Sequence, residues 1–320
     1  MKAAVYYATG GPEVFRYEEV PDPVARPGGL LISVKAISIE GGDTLHRQGG
    51  DMTRSPHIVG YQAAGIVREV GDGVDGFGVG QAVVATMPHG SHAEIVSVPV
   101  AAAYAVPDGL DIREAACVPI AYGTADDCLF EFGHLKKGES VLIQGAAGGV
   151  GLAAVDVGKI LGARVIATAS SEVKRAFLTS YGADHVLPSS GFRESVKELT
   201  GGKGADVVYD PVGGDVFDES VRCIAFNGRL LVIGFTSGRI PTVSVNMPLI
   251  KGFSVVGVRA GEYGRQFPER GAENIRIIDA WAAEGKIRPH VCATFPLERA
   301  NEAMRMLQER KVIGKVVLTM

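Results

Sequence analysis

The stretch Glu139 to Ala163, ESVLIQGAAGGVGLAAVDVGKILGA, leaves a chain few folds to choose from. Val141, Leu142 and Ile143 form the short apolar run that a buried parallel strand needs. Gln144 and a run of small residues follow. Val150, Leu152, Val155, Val157, Ile160 and Leu161 then recur at roughly helical spacing. Within the turn, Ala146, Ala147, Gly148, Gly149, Val150 and Gly151 read as a GxGxxG pattern with alanine in first place. Such a turn binds a dinucleotide when its second glycine admits a pyrophosphate and its third lets helix and strand pack closely. The unpaired N–H groups and the dipole at the helix start favour that anion. A glycine-rich turn without a ligand is the alternative.

The continuation supports the nucleotide site. Arg164 to Ala169 (RVIATA) reads as a second strand, and Ala169 stands where an NAD site places an Asp or Glu on the ribose 2′-hydroxyl. Ser170, Ser171, Lys174 and Arg175 follow, two hydroxyls and two cations that suit a 2′-phosphate. Charge-assisted hydrogen bonds contribute about 1.5–3 kcal/mol each, so one or two would favour NADPH over NADH by roughly tens- to hundreds-fold. The other reading of Lys174 and Arg175 is a solvated helix face.

At 320 residues the chain is long enough for two domains. Its 46 % hydrophobic and 21 % charged content describes an ordinary globule, and its 43 glycines ask for many tight turns. A net charge of −4 offers no electrostatic reason to expect nucleic acid or a membrane surface as partner. No apolar run approaches a membrane span, and the N-terminus lacks a signal-peptide core. Cys117, Cys128, Cys223 and Cys292 are scattered, without a CxxC, so the reading is a reducing cytoplasm with neither a disulfide framework nor a clustered zinc site.

In chain order, short β-segments broken by glycine run to about Val106, as in a β-rich, barrel-like domain. Around Asp111 the pattern changes, with helical spacing from Ile112 to Leu129. Strands at 141–143, 164–169, 185–187, 206–210, 229–233 and 253–258 then alternate with helices near 172–181, 192–199 and 216–223, consistent with a doubly wound parallel sheet. Helices near 273–284 and 300–308 and a returning strand within 312–320 complete the chain.

These pieces resemble the medium-chain dehydrogenase/reductases, and within them the zinc-free quinone oxidoreductase (zeta-crystallin-like) branch. The resemblance rests on PHIVGYQAAGIVREVG (Pro56 to Gly71), AAGGVG (Ala146 to Gly151), YGADHVL (Tyr181 to Leu187), ADVVYDPVGG (Ala205 to Gly214) and GRLLVIG (Gly228 to Gly234). It implies an α/β protein with a GroES-like, β-barrel-type catalytic domain (1–119 and 262–320) and a Rossmann NADPH-binding domain (120–261), the cofactor lying between them, and a homodimer. Zinc-dependent relatives carry a Cys where this chain has Glu40, a His in a GHE motif where it reads Gly60-Tyr61-Gln62, and a third ligand near Ile120. Their proton-relay Ser/Thr is Gly42 here. A catalytic zinc needs three protein ligands, and one carboxylate does not supply them. His89 and His92 make only a pair.

Without a Lewis acid nothing lowers an alcohol's pKa, whereas a quinone or an α,β-unsaturated carbonyl accepts hydride onto a system that delocalises the charge. The expected activity is hydride transfer from NADPH to an electrophilic small molecule, a quinone first. The alternatives are reduction of an enone, enal or enoyl-thioester double bond, and an NADPH-binding sensor that lost turnover. Glu40 is a candidate general acid or a solvated loop residue. Tyr61 is an oxygen-binding hydroxyl or core packing, and His46 is a candidate donor. The stretch Ile39 to Gly49 reads as a loop under the nicotinamide, with Leu45 where quinone reductases often have Tyr and Asp43 holding the loop. Thr124, Gln144, Gly213 and Phe235 are expected at the cofactor. Asp210 touches cofactor or caps a turn, and Arg259 faces the site or solvent.

Overall fold

The computed structural model describes residues 1–50 and 52–320. They fall into two compact units, Met1–Ile120 with Arg288–Met320, and Ala121–Ile287. The second unit therefore extends past the expected end at 261, because the helix Pro268–Ala283 belongs to it. Asn274 on that helix donates to Gly123 O (3.2 Å), Asp126 Oδ2 (3.0 Å) and Asp127 Oδ1 (3.0 Å). Burial pushes both aspartates up to about 6, and an amide partner offsets part of that cost.

In the second unit six strands form one parallel sheet in the spatial order His185–Pro188, Arg164–Ala169, Ser140–Ile143, Ala205–Asp210, Ile224–Val232, Ser254–Gly257. Numbered along the chain this is 3-2-1-4-5-6, with the strand order reversing between Ser140–Ile143 and Ala205–Asp210, where open α/β sheets bind ligands. The middle strands are buried along most of their length, as strands covered on both faces must be. Ile112 to Leu129 is not one helix. It is a short turn Ile112–Ala115, a helix Val118–Asp126, and a wider π-helical turn over Asp127–Phe132.

The first unit joins both chain ends. Its larger sheet has seven strands, six running Val291–Pro296, Lys315–Thr319, Gly29–Ser38, Gln62–Val70, Ala82–Thr86, Ala103–Ala105, while Ile95–Pro99 also pairs with Gly29–Ser38. Leu30, Ile32, Ile37, Val67, Val83, Leu318 and Met304 fill its core. The stretch expected as a loop is a helix, Gly41–Gly49. Three glycines and a single exposed apolar residue, Leu45, hide it from a periodicity reading. What starts it is a reciprocal cap: the Glu40 N–H donates to Asp43 Oδ2 (2.7 Å) while the Asp43 N–H points back to Glu40. Among the described residues no helix is long and apolar enough to cross a membrane.

Candidate active site

The glycine turn of the second unit lies where the sheet order reverses. The helix Gly149–Ile160 begins at Gly148, whose backbone (φ −81°, ψ 170°) is open to any residue. A Cβ on Gly148 would meet nothing nearer than Gly145 O at 3.4 Å, whereas one on Gly151 would stand 2.6 Å from Gly145 O and 2.7 Å from Ala146 Cα. Gly151 is thus the packing glycine, and Gly148 leaves its side of the turn clear. Ala146 and Ala147 are buried beneath it, and Tyr209 OH donates to Val150 O (3.3 Å). The chain groups at this helix start fit an anionic diphosphate.

At the end of Arg164–Ala169, Ser170 is exposed and Ser171 caps the next helix by accepting from the Lys174 N–H (3.3 Å). Arg175 is half-buried and donates to Ala169 O at 3.5 Å, which sets its guanidinium over the strand end. Phe235 lies over Gly213, 3.0 Å from where its Cβ would be. Asp210 accepts from the Val212 and Gly213 N–H groups (2.8 and 2.9 Å), so it caps this turn. Thr124 is half-buried on Val118–Asp126. Gln144 departs from its expected role: wholly buried, it donates to Ser220 Oγ (3.0 Å) and accepts from Thr168 Oγ1 (2.6 Å), bolting two strands to a helix. Arg259 is solvent-facing.

In the first unit Glu40 is not a solvated loop residue, and its carboxylate is taken up by donors. Its buried Oε1 accepts from Ser38 Oγ (2.8 Å), Gln62 Nε2 (2.6 Å) and the Lys315 ammonium. Gln62 in turn accepts from the Ile120 N–H (3.1 Å). The three segments from which zinc-dependent relatives supply ligands therefore meet in one buried network. Its donor set does not suit zinc. Burial pushes the Cys117 thiol up to about 11, Lys315 contributes a cation, and among the described residues no three His, Cys, Asp or Glu side chains gather to hold a metal. Lys315 and Ser38 are what the sequence reading missed. The one local signal is a lysine at the head of the otherwise apolar VVLT strand.

Tyr61, next to Gln62, lays its ring against Gly42. A Cβ there would come 2.8 Å from Tyr61 Cε2 and 3.4 Å from its hydroxyl. The phenol thus stands where the relay side chain of zinc-dependent relatives would project. Burial, then the nearby Asp43, pushes Tyr61 above its ordinary value, so it remains a proton-bearing donor. His46 is committed elsewhere: Tyr6 OH meets its Nδ1 (3.2 Å) and its ring stacks on His57 at 4.7 Å. His92 is buried 3.7 Å from Asp43, and burial pushes it down to about 3.

One unit is a reversed parallel sheet with this glycine turn and the other is β-rich and made from both chain ends, the two parts of a nucleotide-binding protein of two domains. Residues 26–108 match the alcohol dehydrogenase GroES-like domain family and residues 149–276 the zinc-binding dehydrogenase family. Over 308 residues the chain is 34 % identical to quinone oxidoreductase-like protein 2 of Bos taurus, covering 95 % of this chain and 88 % of that one. It is 34 % identical to a 2-haloacrylate reductase of a Burkholderia species (99 % and 98 % covered). The crystal structure of Escherichia coli quinone oxidoreductase complexed with NADPH superposes with a TM-score of 0.92 at 29 % identity, covering both chains fully. The chain belongs to the medium-chain dehydrogenase/reductase superfamily, in its quinone oxidoreductase branch. It is an oxidoreductase of the quinone or enoyl reductase type.

Proposed function

We propose that this protein is a zinc-independent reductase that passes hydride from NADPH to a small electrophilic acceptor, a quinone first. The observation that carries the reading is the cleared glycine turn at Gly148, set at the sheet's reversal point, with Ala169 ending the following strand where an NAD site has an acid and Arg175 set over that end. NADPH, when bound, supplies the hydride. Val150, Gly151 and neighbouring N–H groups hold its diphosphate, Ser170, Ser171, Lys174 and Arg175 its 2′-phosphate, and Thr124, Gly213 and Phe235 flank the rest. Tyr61 donates a hydrogen bond to the acceptor oxygen on which charge builds. Glu40 and His46, bound to partners of their own, leave that role to it. The likeness to a 2-haloacrylate reductase favours a second reading, reduction of an activated carbon–carbon double bond.

One measurement tests the cofactor and a second decides between these acceptors. Fluorescence titration is expected to show NADPH binding at least about tenfold tighter than NADH, and Arg175→Ala to lose most of that preference. Consumption of NADPH is expected to be faster with 1,4-benzoquinone than with 2-chloroacrylate or an enone. The reverse order, with a saturated product, selects the second reading. NADPH binding without turnover of any acceptor would reduce the protein to a sensor.

A reducing cytoplasm suits the four scattered cysteines. The edge strand Ser254–Gly257 is open, and Phe226, Val245, Leu249 and Ile250 stand exposed in the same unit. Such edges and apolar side chains are covered in stable proteins, so we infer a homodimer that joins two six-stranded sheets edge to edge. Light scattering at micromolar concentration should give twice the 33.5 kDa chain mass, and a monomer mass removes the inference.

A further inference from the structure

We propose that the Lys315 ammonium takes over, as a cation tethered to the chain, the place of the metal in zinc-dependent relatives, and that it thereby positions Tyr61. The network joins residues far apart in sequence: Lys315 and Glu40 are 275 positions apart, and Gln62 and Ile120 are 58. Ser38, Glu40, Gln62 and Lys315 are all buried. A carboxylate closed off from water in this way is costly unless a cation and further donors meet it. Here Lys315 reaches both Glu40 Oε1 and, at 3.4 Å, the carbonyl of Ile39.

The fold places that ammonium. The strand Lys315–Thr319 runs antiparallel to Gly29–Ser38, with Val317 opposite Ser38, so its first residue lies beside the segment leading into the cap of Gly41–Gly49. The same cap carries Gly42, against which Tyr61 packs, and Tyr61 is bonded in sequence to Gln62. One cation thus fixes both segments that frame the phenol. It also excludes a second cation: a single carboxylate already neutralised by Lys315 has no charge left for a divalent ion, and the Cys117 thiol beside it stays protonated.

Lys315→Met, Glu40→Gln and the double variant test this in the full chain. Each single change leaves an unbalanced buried group, and melting points are expected to fall by roughly 10 °C. The double variant removes both charges of the Glu40–Lys315 pair and is expected to regain most of the loss. With the cation gone, its kcat with the acceptor the wild type turns over is expected to stay at least about tenfold low, with NADPH affinity unchanged within twofold. Wild-type protein incubated with zinc and desalted is expected to retain none in stoichiometric amount. Strictly additive melting losses, a double variant with wild-type kcat, or one zinc per wild-type chain would each overturn the proposal. The proposal uses the role given to Tyr61 above, but the melting and zinc measurements need neither cofactor nor acceptor, so they stand or fall apart from that reading.

Discussion

Gly151→Ala is expected to damage the fold of the nucleotide turn, whereas Gly148→Ala leaves the fold intact and removes cofactor affinity. Both residues belong to one motif, yet their surroundings differ. The added methyl at position 151 would meet only backbone, Gly145 O at 2.6 Å and Ala146 Cα and O at 2.7 Å, and backbone cannot rotate away as a side chain can. Overpacking of that kind costs about 1–3 kcal/mol, and the displaced strand end takes the helix N-terminus with it. At position 148 the methyl has room and an ordinary φ, so the apoprotein should melt as the wild type does. It would instead occupy the side on which a diphosphate approaches the N–H groups. Loss of one charge-assisted hydrogen bond corresponds to roughly ten- to hundredfold in Kd. Thermal melts of the apoproteins alongside NADPH titrations separate the two effects. Equal NADPH affinity in Gly148→Ala and wild type would place the diphosphate elsewhere.

That contrast also marks what the sequence makes legible. The strand–turn–helix unit is coded locally, by three apolar residues, a set of small ones and a helical period, so the parallel sheet and its glycine turn can be read from the chain alone. Residues whose meaning lies in distant partners are harder. Gln144, at the end of a strand, has the address of a ligand-binding residue, but Thr168 and Ser220 consume both ends of its amide. Glu40 reads as a loop carboxylate because nothing near it in the chain announces Lys315. The helix Gly41–Gly49 escapes because its start depends on a reciprocal cap, not on apolar spacing. The end of the second unit escapes because Asn274 reaches back 148 residues to Asp126 and 147 to Asp127. The glycine motif is contiguous, whereas the network of Ser38, Glu40, Gln62 and Lys315 is assembled from separate strands.

Tyr61→Phe is expected to lower kcat/KM for the preferred acceptor by about 10²–10³, the usual loss when one preorganised donor to a developing oxyanion is removed. The change deletes the hydroxyl and keeps the ring that fills the space over Gly42, so the variant should melt close to the wild type and bind NADPH unchanged. The loss should fall mainly on kcat, because a donor aimed at developing charge stabilises the transition state more than the bound acceptor. The phenol is pushed above 10 by its burial and by Asp43, so the proton it presents is held throughout the neutral range. The Tyr61-dependent part of the rate is therefore expected to be constant through neutral pH, with no alkaline limb below about pH 10. Restoring a relay residue by Gly42→Ser does not substitute for it in the wild-type background, since the new side chain would collide with the Tyr61 ring at 2.8 Å. A Tyr61→Phe enzyme with wild-type kcat would show that solvent alone protonates the product.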